Sequence, residues 1–123
     1  MSNETEKMNT LENTQPALIP ALNFATEVLH SQQPVLVAFF APWSRPCQAF
    51  APVLQELAAA CAGRIKIVKV NADDSLDLSL WYEIQSVPTL MFFVGEKPCW
   101  RIVGTATKQA ILAKLEPFLA KEV

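Results

Sequence analysis

Residues 35–47 read V-L-V-A-F-F-A-P-W-S-R-P-C, and this stretch carries most of the information about the fold. Val35 to Phe40 is a run of apolar residues closed by Ala41-Pro42, which is typical of a strand that is covered on both faces. After Pro46 the apolar residues recur at helical spacing as far as Gly63. The stretch therefore predicts a central buried strand that meets the start of a helix at a short turn.

Further elements are predicted on both sides of this stretch. A first helix is predicted over Phe24 to His30, with Asn23 as its N-cap. The alternating, β-branched run Ile65 to Val70 predicts a second strand of the same sheet. The remaining predictions are a kink at Pro52, a short helix capped by Asp73-Asp74-Ser75 and running to about Tyr82, a hairpin of Thr89 to Val94 and Trp100 to Val103 around Gly95-Glu96-Lys97, and a last helix that Thr107 caps and Pro117 bends or shortens.

The order of these elements predicts an α/β fold. Strand, helix, strand and helix, followed by a hairpin and a helix, imply one right-handed parallel crossover with an antiparallel pair appended to it. We expect one domain over residues 17–123, because a chain of 123 residues with 51% hydrophobic content is long enough to bury a single core. Residues 1–16 are polar and show little periodicity, so we expect a flexible N-terminal tail there.

Composition and charge argue against several classes of partner. With 10 Lys and Arg against 12 Asp and Glu, the formal charge of −2 gives no reason to expect nucleic acid or an anionic membrane. No apolar run approaches the roughly 20 residues that span a bilayer. The N-terminus is polar and acidic, whereas a signal peptide is basic and then apolar. We therefore expect a soluble, cytoplasmic protein and take it to be a monomer.

The three cysteines, Cys47, Cys61 and Cys99, are too few and too far apart for a disulfide framework, and a single His leaves no zinc-binding set. We expect reduced thiols, no metal and no cofactor. If Cys47 and Cys61 share one helix, their 14-residue separation spans roughly 21 Å, whereas a disulfide needs Cα atoms within about 7 Å. Cys61 is expected to be a buried apolar side chain.

Motifs spread over about residues 20–120 resemble the thioredoxin family. They are Phe39 to Cys47, Pro52, Val68 to Asp73, Val87-Pro88-Thr89 and Val103-Gly104, in the order that the family has them. The resemblance implies the thioredoxin fold, a central mixed β-sheet flanked by helices, and membership of a family of thiol–disulfide oxidoreductases. It also places Cys99 at the end of the hairpin remote from Pro88, so that Cys99 is not expected to pair with Cys47.

The active-site motif departs from the family pattern at one decisive position. The family sequence is W-C-x-P-C, and this chain has W-S-R-P-C, so Ser44 takes the place of the cysteine that attacks disulfides. A serine hydroxyl stays protonated near neutral pH and forms no disulfide, so the two-thiol cycle cannot run between positions 44 and 47. Ala38 also stands where family members commonly carry an Asp that assists proton transfer. The resemblance thus implies weak or absent dithiol reductase activity.

The surface that binds substrate peptides in the family is retained. Val87-Pro88-Thr89 resembles the family's cis-proline loop, where the residue before the proline offers its backbone to a peptide in the manner of an added strand. Trp81 and Trp100 are expected to pack against the fold and are given no role in the site. The expected substrate-binding residues are Trp43, Arg45, Pro46, Val87, Pro88, Thr89, Gly104 and Thr105.

Three interpretations of function remain open at this point. In the first, Cys47 acts alone in thiol redox homeostasis and forms a mixed disulfide with a protein thiol, a peptide or glutathione, aided by the helix N-terminus and Arg45. In the second, Cys47 is a slowly reacting relic, and the chain is a non-redox peptide-binding adaptor or a holdase-type chaperone that uses the groove at Trp43 and Pro88. In the third, Ser44 was introduced in the laboratory to disable an active W-C-R-P-C enzyme.

Overall fold

The computed structural model describes residues 15–119. The tail predicted for residues 1–16 lies outside them except for its last two residues, of which Gln15 accepts a hydrogen bond from Gln55 at 3.0 Å. The strands are β1 (Ala17–Leu18), β2 (Val35–Phe40), β3 (Lys66–Asn71), β4 (Thr89–Val94) and β5 (Lys97–Val103), and the α-helices are α1 (Arg45–Cys61), α2 (Leu76–Trp81) and α3 (Lys108–Leu119).

The strands form one mixed sheet in the order β1-β3-β2-β4-β5. β3 pairs in parallel with β1 and β2, whereas β4 pairs antiparallel with β2 and β5. The predicted α/β fold, a mixed sheet with a parallel crossover and an appended antiparallel hairpin, is confirmed. β1 was not predicted, because it has only two residues, both exposed, and is recognisable only by its pairing with Val68 and Lys69.

β2 is buried on both faces, as its unbroken apolar sequence predicts. Leu36 and Ala38 belong to the core between the sheet and the helices α1 and α3, together with Leu57, Ile111 and Leu115. The residues that alternate with them belong to a second core on the opposite face of the sheet, which consists of Ile19, Phe24, Val28, Val35, Val37, Phe39, Val68, Val70, Met91 and Phe93. The strand therefore fixes both layers of the domain.

The segment before β2 is helical but is not the predicted α-helix. Ala21–Asn23 is a 3₁₀ turn and Ala25–Leu29 is a π-helix, in which the amide of His30 donates to the carbonyl of Ala25 at 2.8 Å. Asn23 is not an N-cap, because it is the last residue of the 3₁₀ turn. The buried side chains of Phe24 and Val28 anchor this irregular segment to the second core, so packing overrides the local preference.

The predicted helix ends are confirmed in some places and wrong in others. Thr107 caps α3, since its hydroxyl accepts a hydrogen bond from the amide of Ala110 at 3.0 Å. Pro52 and Pro117 both lie inside their helices, α1 and α3, so neither residue ends its helix, and the kinks expected at them stay predictions. Ser75 precedes α2, but its side chain makes no capping hydrogen bond.

The hairpin differs from the prediction in the start of its second strand. β5 begins at Lys97, and Pro98 is accommodated because β5 is an edge strand with a bulge in the β4–β5 ladder. Trp100 packs against the fold as predicted, stacked on Phe92 with ring centroids 5.3 Å apart. The same prediction was wrong for Trp81, which ends α2 and is exposed.

Phe92 offers a test of this packing, because it is fully buried and contacts the rings of both Trp100 and Phe118. Phe92→Ala should lower the free energy of unfolding by about 3–5 kcal/mol, measured by urea denaturation. Val94→Ala is the matched control, since Val94 lies in the same strand and is exposed, and it should cost no more than about 0.5 kcal/mol. Equal losses in the two variants would contradict the assignment of the core.

Candidate functional site

The turn between β2 and α1 has a hydrogen-bonded structure of its own. The amide of Ser44 donates to the carbonyl of Ala41 at 3.1 Å, and the side-chain amide of Gln48 donates to the carbonyl of Pro42 at 2.7 Å. The first bond closes the turn on itself, and the second connects the turn to the first turn of α1. The start of the helix is therefore held in a fixed position at the end of the central strand.

Ser44 is the N-cap of α1. Its backbone is extended, with φ −84° and ψ 121°, and its hydroxyl oxygen accepts a hydrogen bond from the amide of Cys47 at 3.3 Å. The carbonyl of Ser44 accepts from the amide of Gln48 at 3.0 Å, and the residue is only 4% exposed. Pro46 lies in the first turn of α1, where a missing amide costs nothing. Ser44 thus has a structural task that its hydroxyl performs well.

This capping role was missed at the sequence level although a signal for it exists. A serine immediately before an apolar helical pattern, with a proline at one of the first helical positions, is a helix-start signature. The hydroxyl of Ser44 supplies a hydrogen-bond acceptor to the helix that carries Cys47.

Cys47 lies in the first turn of α1 and is 8% exposed. All three cysteines are free. Cys61 is the last residue of the same helix, about 21 Å away along its axis, and burial raises the pKa of its thiol while Arg64 opposes the shift. Cys99 is exposed in β5. It lies four residues, or about 13 Å, along this strand from Val103, the residue that pairs with Thr89 at the end of the sheet where Pro88 lies. Neither thiol is placed to pair with Cys47.

Trp43 is 69% exposed, and a hydrogen bond holds its indole. The indole N–H donates to a carboxylate oxygen of Asp73 at 2.7 Å. Asp73 is in turn positioned by Asn71. The side-chain oxygen of Asn71 accepts hydrogen bonds from the backbone amides of Asp73 at 2.9 Å and Asp74 at 3.3 Å. From the sequence, Asp73 was expected to take part in a helix cap, and its contact with Trp43 was not predicted. The Asn71 turn has a local sequence signal, but the contact with Trp43, 30 residues away, has none.

The loop before β4 lies at the same end of the sheet. The Val87–Pro88 peptide bond is cis, and the carbonyl of Pro88 accepts a hydrogen bond from the amide of Gly104 at 2.8 Å. Thr89 pairs with Phe39 in β2 and Val103 in β5, and its hydroxyl donates to the carbonyl of Ser86 at 2.7 Å. Gly104 has a φ of +95°, which a side chain would strain.

The sheet order explains why these segments meet. β2 lies between β3 and β4. The turn after β2, the segment after Asn71 and the loop before Thr89 therefore lie side by side at one end of the strands. The amide of Ala72 donates to the carbonyl of Phe40 at 2.8 Å, which ties two of these segments together. Arg45, Pro46 and Thr105 lie exposed at this end of the molecule. The sequence-predicted site residues are thus carried by segments at one end of the sheet.

Two other kinds of site are not seen in the part of the chain that the structure describes. Between residues 15 and 119, no group of three or more His, Cys, Asp or Glu side chains is arranged to hold a metal ion. None of the helices in that range combines the length and the apolar character needed to cross a membrane.

Comparison with known proteins agrees with the fold. Residues 15–117 match the family model for thioredoxin. The chain belongs to the thioredoxin family. It is 43% identical over 96 residues to the chloroplastic thioredoxin M-type of Chlamydomonas reinhardtii, an alignment that covers 78% of this chain and 69% of that protein. It is 45% identical over 96 residues to thioredoxin 1 of a Nostoc species, covering 78% and 90% of the two chains. It is 40% identical over 97 residues to a thioredoxin of a Synechocystis species, covering 79% and 91%.

Thioredoxin-family membership gives Ser44 and Cys47 their meaning. The family is one of thiol–disulfide oxidoreductases, and the resemblance of W-S-R-P-C to its motif predicts that the attacking cysteine aligns with Ser44, the N-cap of α1. Here that place is taken by a buried hydroxyl whose oxygen is already hydrogen-bonded to the amide of Cys47. The first turn of α1 therefore carries one thiol, that of Cys47, next to the capping hydroxyl of Ser44.

The capping role predicts a loss of stability when the hydroxyl is removed. Ser44→Ala should lower the free energy of unfolding by about 0.5–2 kcal/mol, because the amide of Cys47 loses its acceptor at a buried position. Urea denaturation measures the loss, and Thr107→Ala, the same kind of deletion at the N-cap of α3, serves as the reference. An unchanged stability in Ser44→Ala beside a clear loss in Thr107→Ala would show that the cap at Ser44 contributes nothing.

Proposed function

We propose that this thioredoxin-family protein acts in thiol redox homeostasis through the single thiol of Cys47, without the two-cysteine reductase cycle. The observation that carries the proposal is the geometry of the motif. Cys47 stands in the first turn of α1, while the position of the attacking cysteine holds a hydroxyl committed to capping that helix. The partners are oxidised protein or peptide thiols, or glutathione.

The chemistry of a lone thiol differs from that of a pair. The thiolate of Cys47 attacks one sulfur of a disulfide, a new S–S bond forms to Cys47, and the other sulfur leaves as a thiolate that takes up a proton. In a two-thiol site the second cysteine would then displace the bound partner. Here no second thiol is near, so the mixed disulfide persists until an external thiol such as glutathione attacks it. The positive end of the α1 dipole favours negative charge in this first turn.

The binding surface supports the same proposal. A partner peptide would lie between the exposed indole of Trp43 and the backbone of Val87, as a strand added at the cis-proline loop. Thr89 and Gly104 hydrogen-bond to that loop, Thr105 follows Gly104 in the chain, and Arg45 and Pro46 are the first two residues of α1. Cytoplasmic localisation and the monomeric state stay as predictions from the sequence.

A second candidate function is favoured by the relative exposure of two residues. Cys47 is 8% exposed, whereas Trp43 is 69% exposed and is oriented by Asp73. Of these two side chains the indole is therefore the more available to a partner, which suits a non-redox peptide-binding adaptor or a holdase-type chaperone. In that case a peptide is retained without a covalent bond, and the sulfur of Cys47 is dispensable.

One experiment separates the two functions. In a Cys99→Ser background, which removes the exposed thiol, the folded protein is incubated with oxidised glutathione near neutral pH and its intact mass is measured. We expect one glutathione adduct per chain, located at Cys47 by peptide mapping and lost in Cys47→Ser. Cys61 should stay unmodified, because it is fully buried and its pKa is raised.

The alternative has its own signature in the same protein. If no adduct forms at Cys47, and a peptide without cysteine binds equally well to Cys47→Ser but more weakly to Trp43→Ala, the redox proposal fails and the adaptor is supported. Failure of both adduct formation and peptide binding would leave neither function standing.

A further inference from the structure

One face of α2 carries large apolar side chains that the fold does not cover. Leu76 is 66% exposed, and Leu80 and Trp81 are each 78% exposed, whereas Leu78 packs inward on the second core. At 100° per residue these three exposed residues span about 140° of the helix circumference. Together they offer on the order of 400 Å² of apolar surface, comparable with the largest patch on a typical monomer, which is often functional.

A cleft adjoins this face at the C-terminal end of α2. It lies between Trp81 and β5, has a volume of about 320 Å³, and includes Met91, Pro98 and Trp100 in its lining. Arg101 joins its two walls by donating hydrogen bonds to the carbonyls of Tyr82 and Glu83. The cleft has room for one large apolar side chain of a partner, which is how interfaces commonly anchor their central residues.

The charged groups on α2 and in the segment that leads into it are acidic, whereas Arg101 lies on the cleft side of Trp81. Asp73, Asp74 and Asp77 are exposed, and Asp77 lies between Leu80 and Trp81 around the helix. Among residues 15–119, the ion pairs within 4 Å join Lys66 to Glu27 and Lys108 to Glu56, so no Lys or Arg of the described chain neutralises these three carboxylates. The apolar face is thus bordered by uncompensated negative charge.

We infer that the exposed face of α2 is a docking surface for a basic amphipathic helix of another protein. An apolar side chain of that helix enters the cleft beside Trp81, and Lys or Arg side chains pair with Asp74 and Asp77. A second copy of this chain does not fit, because pairing two such faces brings like charges together. The patch is smaller than the roughly 800 Å² per partner of a stable interface, so the contact is transient. Nothing in this inference depends on Cys47, so it goes beyond the proposed function.

The test uses a short helical peptide of Leu and Lys with one apolar face, and the same peptide with Glu in place of Lys. Amide shifts in a ¹⁵N spectrum should map the Leu/Lys peptide to residues 74–83 and to the cleft. Leu80→Ser and Trp81→Ser should each raise its dissociation constant by about tenfold. Val94→Ser, the control at an exposed apolar residue beyond the cleft, should leave it within about twofold.

The charge of the surface is tested separately. Asp74→Asn/Asp77→Asn should weaken binding severalfold, while Glu56→Gln/Glu116→Gln, the same change of net charge on α1 and α3, should not. Cys47→Ser should bind as the native chain does. The inference is overturned if the Leu/Glu peptide binds equally well, if the shifts map elsewhere, if Leu80→Ser binds normally, or if sedimentation shows a dimer that Leu80→Ser dissociates. Binding to zwitterionic vesicles in place of the peptide would also overturn it.

Discussion

The hydrogen bond from the amide of Cys47 to the hydroxyl of Ser44 is the contact on which the site depends. It fixes where α1 begins and therefore where the sulfur of Cys47 lies relative to the end of β2. A cysteine at position 44 could present a nucleophile at this place, but sulfur is a poorer hydrogen-bond acceptor than a hydroxyl oxygen. The chain therefore combines a well-capped helix with a single thiol.

The order of the strands determines which other segments lie near that contact. β2 is covered on both faces and lies between a parallel and an antiparallel neighbour. Three connecting segments therefore meet at one end of the strands. One of them carries Trp43, the second carries Asp73 and the third carries the cis-proline loop. The surface that we propose for an extended peptide is built from these three segments and does not include the sulfur of Cys47.

Much of this could be predicted from the sequence, and the exceptions have physical reasons. β2 could be predicted because a strand buried on both faces has a continuous apolar sequence, and α1 could be predicted because its buried face has apolar residues at helical spacing. β1 was not, since two exposed residues carry no periodicity and owe their strand geometry to β3. The π-helix at Ala25–Leu29 follows from the burial of Phe24 and Val28 in the second core. The helix propensities of the residues do not predict this burial.

The candidate site divides in the same way. The motif and the proline loop are local in sequence, so the positions of Ser44, Cys47 and Pro88 could be read directly. The bond between Trp43 and Asp73 joins distant segments, and the exposure of Trp81 depends on which side of α2 meets the core. Contacts of this kind are decided by tertiary packing, so they became visible only with the structure.

The central claim is that one oxygen atom in place of sulfur prevents two-thiol turnover by a domain that otherwise has the family's architecture. The most direct measurement compares the rate of insulin reduction by dithiothreitol with the native chain, with Ser44→Cys and with no protein. The account predicts that the native chain gives the rate of dithiothreitol alone and that Ser44→Cys accelerates it. Catalysis by the native chain, or no gain in a folded Ser44→Cys protein, would contradict it.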